Sequence, residues 1–256
     1  MIENLPSDII NSIGTPEDAF DAIIYGASGN GKTNFSTKLI KVFLQSLCCR
    51  CEYIAYEEGH GRTIQRTFIE EHNLLELGNV LQITDHLTYD ELVHRMSRKG
   101  SAKIWVIDSL QAAGFNAKQC AYLKDRFVLS KRKKIIIYIS WAEGKLPAGA
   151  VGKSVEYYSN IKMHVDRFIV FPKSRYGGNR PYSIWEGCAR TGLGAIGKWG
   201  EKEYWRIMGG RPKKGKEDKS EGGKEDKRVK GKVQVLPPET EEEIAEAMLK
   251  KLREGV

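Results

Sequence analysis

Residues 26–33 read Gly-Ala-Ser-Gly-Asn-Gly-Lys-Thr, the full spacing G-x-x-x-x-G-K-[ST] of a phosphate-binding loop. Glycines at 26, 29 and 31 let the backbone wrap closely around phosphate oxygens, with loop N–H groups pointing inward. Ala27, Ser28 and Asn30 complete the cradle, and the following helix adds the positive end of its dipole. In such a loop Lys32 reaches the β- and γ-phosphates and Thr33 holds Mg²⁺. The implied ligands are ATP and Mg²⁺.

Two further stretches carry acids at the ends of apolar runs. Lys103-Ile-Trp-Val-Ile-Asp-Ser-Leu-Gln ends its run at Asp108. An acid there holds Mg²⁺ or its water in phosphate-loop proteins. Cys51-Glu-Tyr-Ile-Ala-Tyr-Glu-Glu-Gly places Glu57 and Glu58 at a second strand end. A carboxylate beside the phosphate loop can orient and polarise an attacking water.

The elements that must position these groups follow from periodicity. Ala22 to Tyr25 reads as a strand before the loop, and Phe35, Leu39, Val42, Phe43 and Leu47 repeat at helical spacing after it. Strands are expected over 21–26, 51–56, 79–83, 103–108 and 134–140. Helices are expected over 32–47, 62–73, 88–99, 117–131 and 152–159. This alternation predicts an α/β fold with a mainly parallel twisted sheet flanked by helices. Runs at 161–171, 181–186 and 203–208 predict antiparallel additions at the C-terminal side. In the lead-in, Thr15-Pro-Glu-Asp reads as the start of a helical turn.

The 256 residues suit one such domain, 1–208, and a tail. Residues 209–235 are rich in Lys, Glu, Asp and Gly with few apolar side chains, the composition of a flexible charged linker. Within 236–256, Thr240 and Glu243 fit a capping box and Ile244, Met248 and Leu252 form an apolar stripe. A short helix on a tether suits docking on a protein partner, on a neighbouring subunit or on its own domain.

No run approaches the ~18 apolar residues of a membrane helix, and Met-Ile-Glu-Asn-Leu-Pro lacks the features of a signal peptide. The expectation is a cytoplasmic protein with no membrane partner. Five cysteines, an odd number, read as free thiols, with the C-x-x-C pair Cys48 and Cys51 as buried thiols at a helix-to-strand junction. The net charge of +8 favours polyanionic partners, although part of the excess falls in the tail.

The order of these pieces resembles the RecA-like ATPase superfamily, and within it the RadA/Sms and DnaB-helicase branch. The carriers are GASGNGKT (26–33), YIAYEE (53–58), WVIDSLQ (105–111), the strand at 135–140 with its following loop, and KSRYG (173–177). The resemblance implies a RecA-like core over 21–190, with Glu57 as catalytic glutamate, Asp108 as metal acid and Gln111 in the place of the glutamine that follows it. The family's polar sensor segment is altered here to Tyr-Ile-Ser-Trp-Ala-Glu-Gly-Lys, with Ser140 the nearest polar candidate. Lys173 and Arg175 would sit on a hairpin between 165–171 and 181–186 and reach a neighbouring subunit's γ-phosphate, as an arginine finger does. Arg66 is given no role. The implied assembly is a homo-oligomeric ring, in the resemblance a hexamer, or a filament.

The implied partner is single-stranded DNA. It would be met by Gln111–Lys118, with Phe115 stacking on a base, and by Glu143–Lys153, with Lys118, Lys145 and Lys153 at phosphates. The basic run Lys131-Arg-Lys-Lys reads as a solvated helix end. The rival reading is a KaiC-like regulatory or assembly ATPase whose partner is a protein. A small-molecule kinase fits less well, because such enzymes lack the strand-end glutamate together with a late K-x-R-x-G.

Overall fold

The computed structural model describes residues 2, 4–57, 61, 67–68 and 72–211. Helix α1 (Ser7–Ile13) precedes strand β1 (Asp21–Gly26) and helix α2 (Lys32–Leu47). Strand β2 (Cys51–Ala55), a 3-10 stretch (Leu74–Val80), strand β3 (Leu81–Thr84) and helix α3 (Tyr89–Ser97) follow. Next come β4 (Ile104–Asp108), α4 (Leu110–Ala113) and α5 (Ala117–Leu123), which runs into a π-helical turn (Lys124–Val128). Strands β5 (Ile135–Glu143) and β6 (Leu146–Pro147) precede α6 (Gly149–Tyr158). The described chain ends with β7 (Ile161–Asp166), β8 (Ile169–Ser174), β9 (Tyr182–Ser183), α7 (Glu186–Thr191) and α8 (Glu201–Ile207).

The sheet runs β3-β2-β4-β5-β1-β7-β8-β9. From β3 to β7 every pairing is parallel, and β8 and β9 add antiparallel strands at one edge. Between Asp21 at the start of β1 and Asp108 at the end of β4, the central strands are runs of apolar residues (Ala22–Tyr25, Ile104–Ile107, Ile135–Ile139) because both faces are covered. Ala22 and Ile24 of β1, Ile104 and Val106 of β4, and Ile135 and Ile137 of β5 pack with α1 and α2. Ile23, Trp105, Ile107, Ile136 and Tyr138 pack on the opposite face with Leu92, Leu123 and Val155. Each fully buried Ile contributes about 1.5–3 kcal/mol through surface removed from water. A one-residue slip would exchange the two faces, so the strand ends are fixed relative to one another.

Several expectations require correction. The run 161–171 is two strands, β7 and β8, joined by a tight turn at Arg167 and Phe168. Both residues have left-handed φ, 44° and 62°, which turn-forming Asn and Gly usually supply. Here tertiary contacts hold the turn. The Arg167 guanidinium lies 3.4 Å from the centre of the Trp199 ring and donates to the Asp166 carboxylate at 3.0 and 3.2 Å, while Phe168 is buried.

The stretch 203–208 is helical, not a strand. Its side chains pair at helical spacing: Arg206 donates to Glu203, and Trp205 Nε1 donates to Glu201 Oε1 at 2.8 Å. The N-terminal helix is Ser7–Ile13 and not a turn at Thr15, because Ile9 and Ile13 bury a helical face there. The helix expected over 117–131 changes to π-type after Leu123. Cys48 is exposed, while Cys51 is buried. Most of the helix expected over 62–73 lies outside the described residues, as do Glu58, Arg66, the linker from residue 212 onward and the terminal helix. Among the described residues, no helix is long and apolar enough to cross a membrane.

Helix α1 is fastened to the segment after β8. Asn179 N donates to Ser12 O at 2.8 Å, Arg180 N to Asn11 O at 3.0 Å, and Ser174 Oγ to Ile13 O at 2.7 Å. Gly14 makes this approach possible, since a Cβ there would lie 2.0 Å from Tyr176 O.

A buried ion pair anchors the start of β1. Asp21 is wholly buried, and its Oδ1 accepts from Lys124 Nζ at 2.9 Å and from Asn160 N at 3.1 Å. Lys124 Nζ also donates to Tyr158 O, which ties the π-helical turn to the end of α6. Burial raises the Asp21 pKa, and Lys124 opposes that rise. A raised carboxyl pKa means that stability falls as pH rises from about 4 through the folded-state pKa. Lys124→Met removes the opposing charge and should cost about 3–5 kcal/mol at pH 7.5. The deficit should shrink toward pH 4, and adding Asp21→Asn should recover most of it. Urea denaturation at both pH values checks this.

Candidate functional site

The phosphate loop leaves the C-terminal end of β1. Gly29 and Gly31 take φ of 76° and 95°, which turn the backbone back toward the start of α2. The α2 ladder opens with Phe35 N donating to Gly31 O at 2.9 Å, so the N–H groups of Lys32, Thr33 and Asn34 precede it, as an anion site requires. Lys32 Nζ donates to Ala27 O at 3.0 Å. Burial lowers the Lys32 pKa, and the charges of Asp108 and Glu57 oppose this, which brings all three groups into one electrostatic neighbourhood.

Register accounts for that convergence. Asp108 pairs with Ala55 on one side and Ile139 on the other, and Gly26 pairs with Trp141. The ends of β1, β2, β4 and β5 therefore form one ledge. Tyr56 N and Glu57 N both approach Asp108 O, at 2.6 and 3.3 Å.

Sequence reasoning missed two residues here. The wholly buried Tyr53 donates its hydroxyl to Asp108 Oδ2. Burial and the Asp108 charge push the Tyr53 pKa well above its usual value, so the phenol keeps its proton and stays a donor. Trp141 Nε1 donates to Glu57 Oε2 at 2.9 Å and orients a carboxylate that is otherwise exposed. The signal for Trp141 was its place one residue past Ser140 at a strand end. For Tyr53 it was an inward polar atom two residues before Ala55.

Gln111 lies beside this ledge. Its Nε2 donates to Ser140 Oγ at 2.8 Å and to Ala148 O at 3.1 Å, and its Oε1 accepts from Trp141 N at 3.2 Å. The amide thus joins the segments after β4 and β5.

A small apolar cap closes on the phosphate loop from the other side. A Cβ at Gly29 would lie 2.9 Å from Ile196 Cδ1, and one at Gly31 would lie 3.2 Å from Phe168 Cδ1 and 3.3 Å from Ile184 Cδ1. The glycines serve this approach as well as the loop's curvature.

Lys173 and Arg175 are not brought to this site within one subunit. Because β8 runs antiparallel to β7, Lys173 pairs with Lys162 near the start of β7, at the opposite edge of the sheet. Arg175 follows it, with its N–H donating to Asn160 O at 3.1 Å, and both side chains are exposed.

The loops expected to meet nucleic acid differ from expectation. Phe115 is buried and packs edge-on against Tyr56 and Tyr89, with ring centres 5.7 and 5.4 Å away, so it is a core residue and not a stacking platform. Most of Glu143–Lys153 is ordered as the β5–β6 hairpin and the first turn of α6. Lys118 and Lys145 are exposed, and Lys153 pairs with Glu143 at 3.5 Å.

The donor set fits a nucleoside triphosphate with magnesium. Thr33 and Asp108 offer hard oxygens of the kind Mg²⁺ prefers, and water and phosphate would fill the remaining positions of such an ion. Among the described residues, no three His, Cys, Asp or Glu side chains converge as a metal site, and none is needed for a magnesium held in this way.

No protein-family model matches the sequence, and no curated protein is similar to it. Among solved structures, the chain is similar to the KaiC-like protein PH0186 from the hyperthermophilic archaeon Pyrococcus horikoshii OT3. The TM-score is 0.52 at 19% identity, over 72% of this chain and 97% of that one. The likeness shows the fold: an α/β, RecA-like core with a mostly parallel sheet flanked by helices.

Trp141 sits where it would sense an occupant of the ledge. Addition of ATP with Mg²⁺ should change the indole emission of the wild-type chain. The change should vanish in Trp141→Phe and in Lys32→Ala, as stopped-flow fluorescence would test.

Proposed function

We propose that this chain is an ATPase that hydrolyses ATP with Mg²⁺, assembles with copies of itself in a ring or filament, and acts on single-stranded DNA. The observation that carries the ATPase reading is the shared ledge of Lys32, Asp108 and Glu57, with Glu57 held by Trp141. Gly26 to Thr33 would cradle the phosphates, and Lys32 would neutralise charge on the γ-phosphate. Thr33 and Asp108 would hold Mg²⁺, which supplies charge neutralisation at the transferring phosphoryl group. Glu57 would accept hydrogen bonds from the attacking water and orient it. Tyr53 fixes the Asp108 carboxylate, and Gln111 positions the Trp141 backbone.

Assembly is supported by the place of Lys173 and Arg175. They are exposed cations at the edge opposite their own phosphate loop, so they would complete a site only in a neighbouring copy. The basic charge of the chain supports a polyanionic partner.

A second reading is a regulatory ATPase whose partner is a protein. The burial of Phe115 favours it, since one expected base platform is lost. So does the likeness to a KaiC-like protein.

Steady-state hydrolysis, measured across protein concentration with and without single-stranded DNA, tests these readings. Lys32→Ala and Glu57→Gln should each lower turnover by about 10²-fold or more. Activity should rise cooperatively with protein concentration and increase further with DNA, whereas indifference to DNA would favour the protein-partner reading. A mixture of Glu57→Gln with Lys173→Ala/Arg175→Ala should regain roughly a quarter of wild-type activity if sites are shared between copies. No regain would sink the shared site.

A further inference from the structure

We propose that the edge of the sheet opposite the phosphate loop, where β2, β4 and β5 begin, is a binding surface for the phosphodiester backbone of a nucleic acid. The proposal rests on the DNA reading above and gives that partner a surface other than the loops after β4 and β5.

Most of the net charge of the chain lies within residues 1–211. Residues 212–256 hold twelve Lys or Arg and eleven Asp or Glu, so seven of the eight excess positive charges fall within 1–211. Many of them meet at one edge. Arg50 lies just before β2, Arg98 and Lys99 follow α3, Lys103 precedes β4, and Lys131-Arg-Lys-Lys precedes β5. These strands are neighbours in the sheet, so segments far apart in sequence form one strip.

The strip is built on carbonyls and not on carboxylates. Arg50 Nη2 donates to Gly100 O, and Lys103 Nζ to Lys133 O. Arg132 Nη1 donates to Ser97 O at 2.7 Å, and Lys134 Nζ to Ala102 O at 2.6 Å and Ser101 Oγ at 2.7 Å. These bonds link the three loops and fix the cations without cancelling their charge. Among the described residues, the ion pairs at this edge include Arg95–Glu52 beside β2 and Asp21–Lys124 beneath β1, and none of the strip cations above is ion-paired. Asp18 is the further carboxylate whose charge reaches Lys103.

Lys134 shows the resulting field. The residue is almost wholly buried, and its pKa falls to about 8 through burial first and then through repulsion from Arg132, Lys103 and Arg50, which Glu52 partly opposes. An anion laid over the strip relieves that repulsion.

The dimensions favour a polyanion. Starts of β2, β4 and β5 span about 10 Å at the usual strand spacing, and the flanking loops extend the strip beyond a single phosphate group. A shallow cavity lined by Arg50, Arg98, Lys99 and Ser101, with the paired Arg95 and Glu52 also in its wall, opens beside it and offers one phosphate a deeper seat. Each arginine tied by one N–H retains others for a ligand. Repeated phosphates match repeated cations, whereas among the described residues Leu129 is the exposed large hydrophobic side chain that adjoins Lys131-Arg-Lys-Lys in sequence, too little for a membrane face.

The test is fluorescence anisotropy of a labelled single-stranded oligothymidine against the full chain over a NaCl series. The variants are Arg98→Gln/Lys99→Gln and Arg132→Gln/Lys133→Gln at the strip, Lys118→Gln/Lys145→Gln/Lys153→Gln at the loops, and Lys198→Gln/Lys202→Gln as a charge-matched control. Each strip variant should weaken binding about tenfold and lower the log–log salt slope by about one to two, with unchanged thermal unfolding and unchanged DNA-free ATP hydrolysis. Loop and control variants should change little. Wild-type binding lost in the loop variant but kept in the strip variants overturns the proposal and leaves the DNA reading standing. No salt-dependent binding by the wild type overturns both. Polyglutamate or anionic vesicles held as tightly as DNA, and lost in the same strip variants, would assign the strip to a different partner and overturn the proposal.

Discussion

Parallel pairing of strands buried on both faces is the constraint on which the site depends. The side chains of β1, β4 and β5 alternate between two filled layers, so a shift of one residue would send Ile and Trp side chains to the wrong layer. With the register fixed, the strand ends are set against one another, Asp108 level with Ile139 and Gly26 level with Trp141 two rungs further on. Gly26, Asp108 and Trp141 then face a common space although more than 30 residues separate each from the next along the chain. The glycine loop, Asp108 and the indole that orients Glu57 owe their proximity to core packing and not to contacts with one another.

Local signals were the legible ones. The glycine loop, the apolar runs ending in Asp108 and Glu57, and the helix from Lys32 to Leu47 each follow from short-range spacing, and those element boundaries differ from the sequence expectation by a residue or none. What could not be read depends on distant partners. The Arg167–Phe168 turn contains neither Gly nor Asn, and Trp199, 32 positions further on, supplies the face on which Arg167 rests. Phe115 sits in a glycine-bearing stretch that looks exposed, yet Tyr56 and Tyr89 arrive from two other elements to cover it. Tyr204 and Trp205 suit strand or helix equally, and the choice is made by the Glu201 and Glu203 pairings together with burial of Tyr204. Lys131-Arg-Lys-Lys looked like a solvated helix end, because Arg50, Arg98 and Lys103 join it only through the sheet.

The two edges of the sheet are chemically distinct. At the C-terminal edge, cationic Lys32 faces two carboxylates, Asp108 and Glu57, in one electrostatic neighbourhood. At the N-terminal edge, positive charge beneath β2, β4 and β5 is held by main-chain carbonyls, while the Asp21–Lys124 pair beneath β1 is neutral as a unit. A parallel sheet gives this polarity a fixed direction, since every strand from β3 to β7 begins at one edge and ends at the other.

The side chain of Gln111 spends both halves of its amide. Its nitrogen faces Ser140 Oγ and Ala148 O, and its oxygen faces the Trp141 N–H. Glutamate, its near-isostere, would set a second acceptor against the Ala148 carbonyl, and a shorter residue would not span the gap. The amide acts as a rigid strut pinned at three points, so the turn after β4, the end of β5 and the first residue before α6 share their displacements. Gly152 tightens the same joint, because a Cβ there would stand 3.0 Å from Pro147 Cβ and 3.3 Å from Ser140 Oγ. A displacement of Gln111 would therefore be carried to the start of helix α6 through these three contacts rather than taken up in a slack loop.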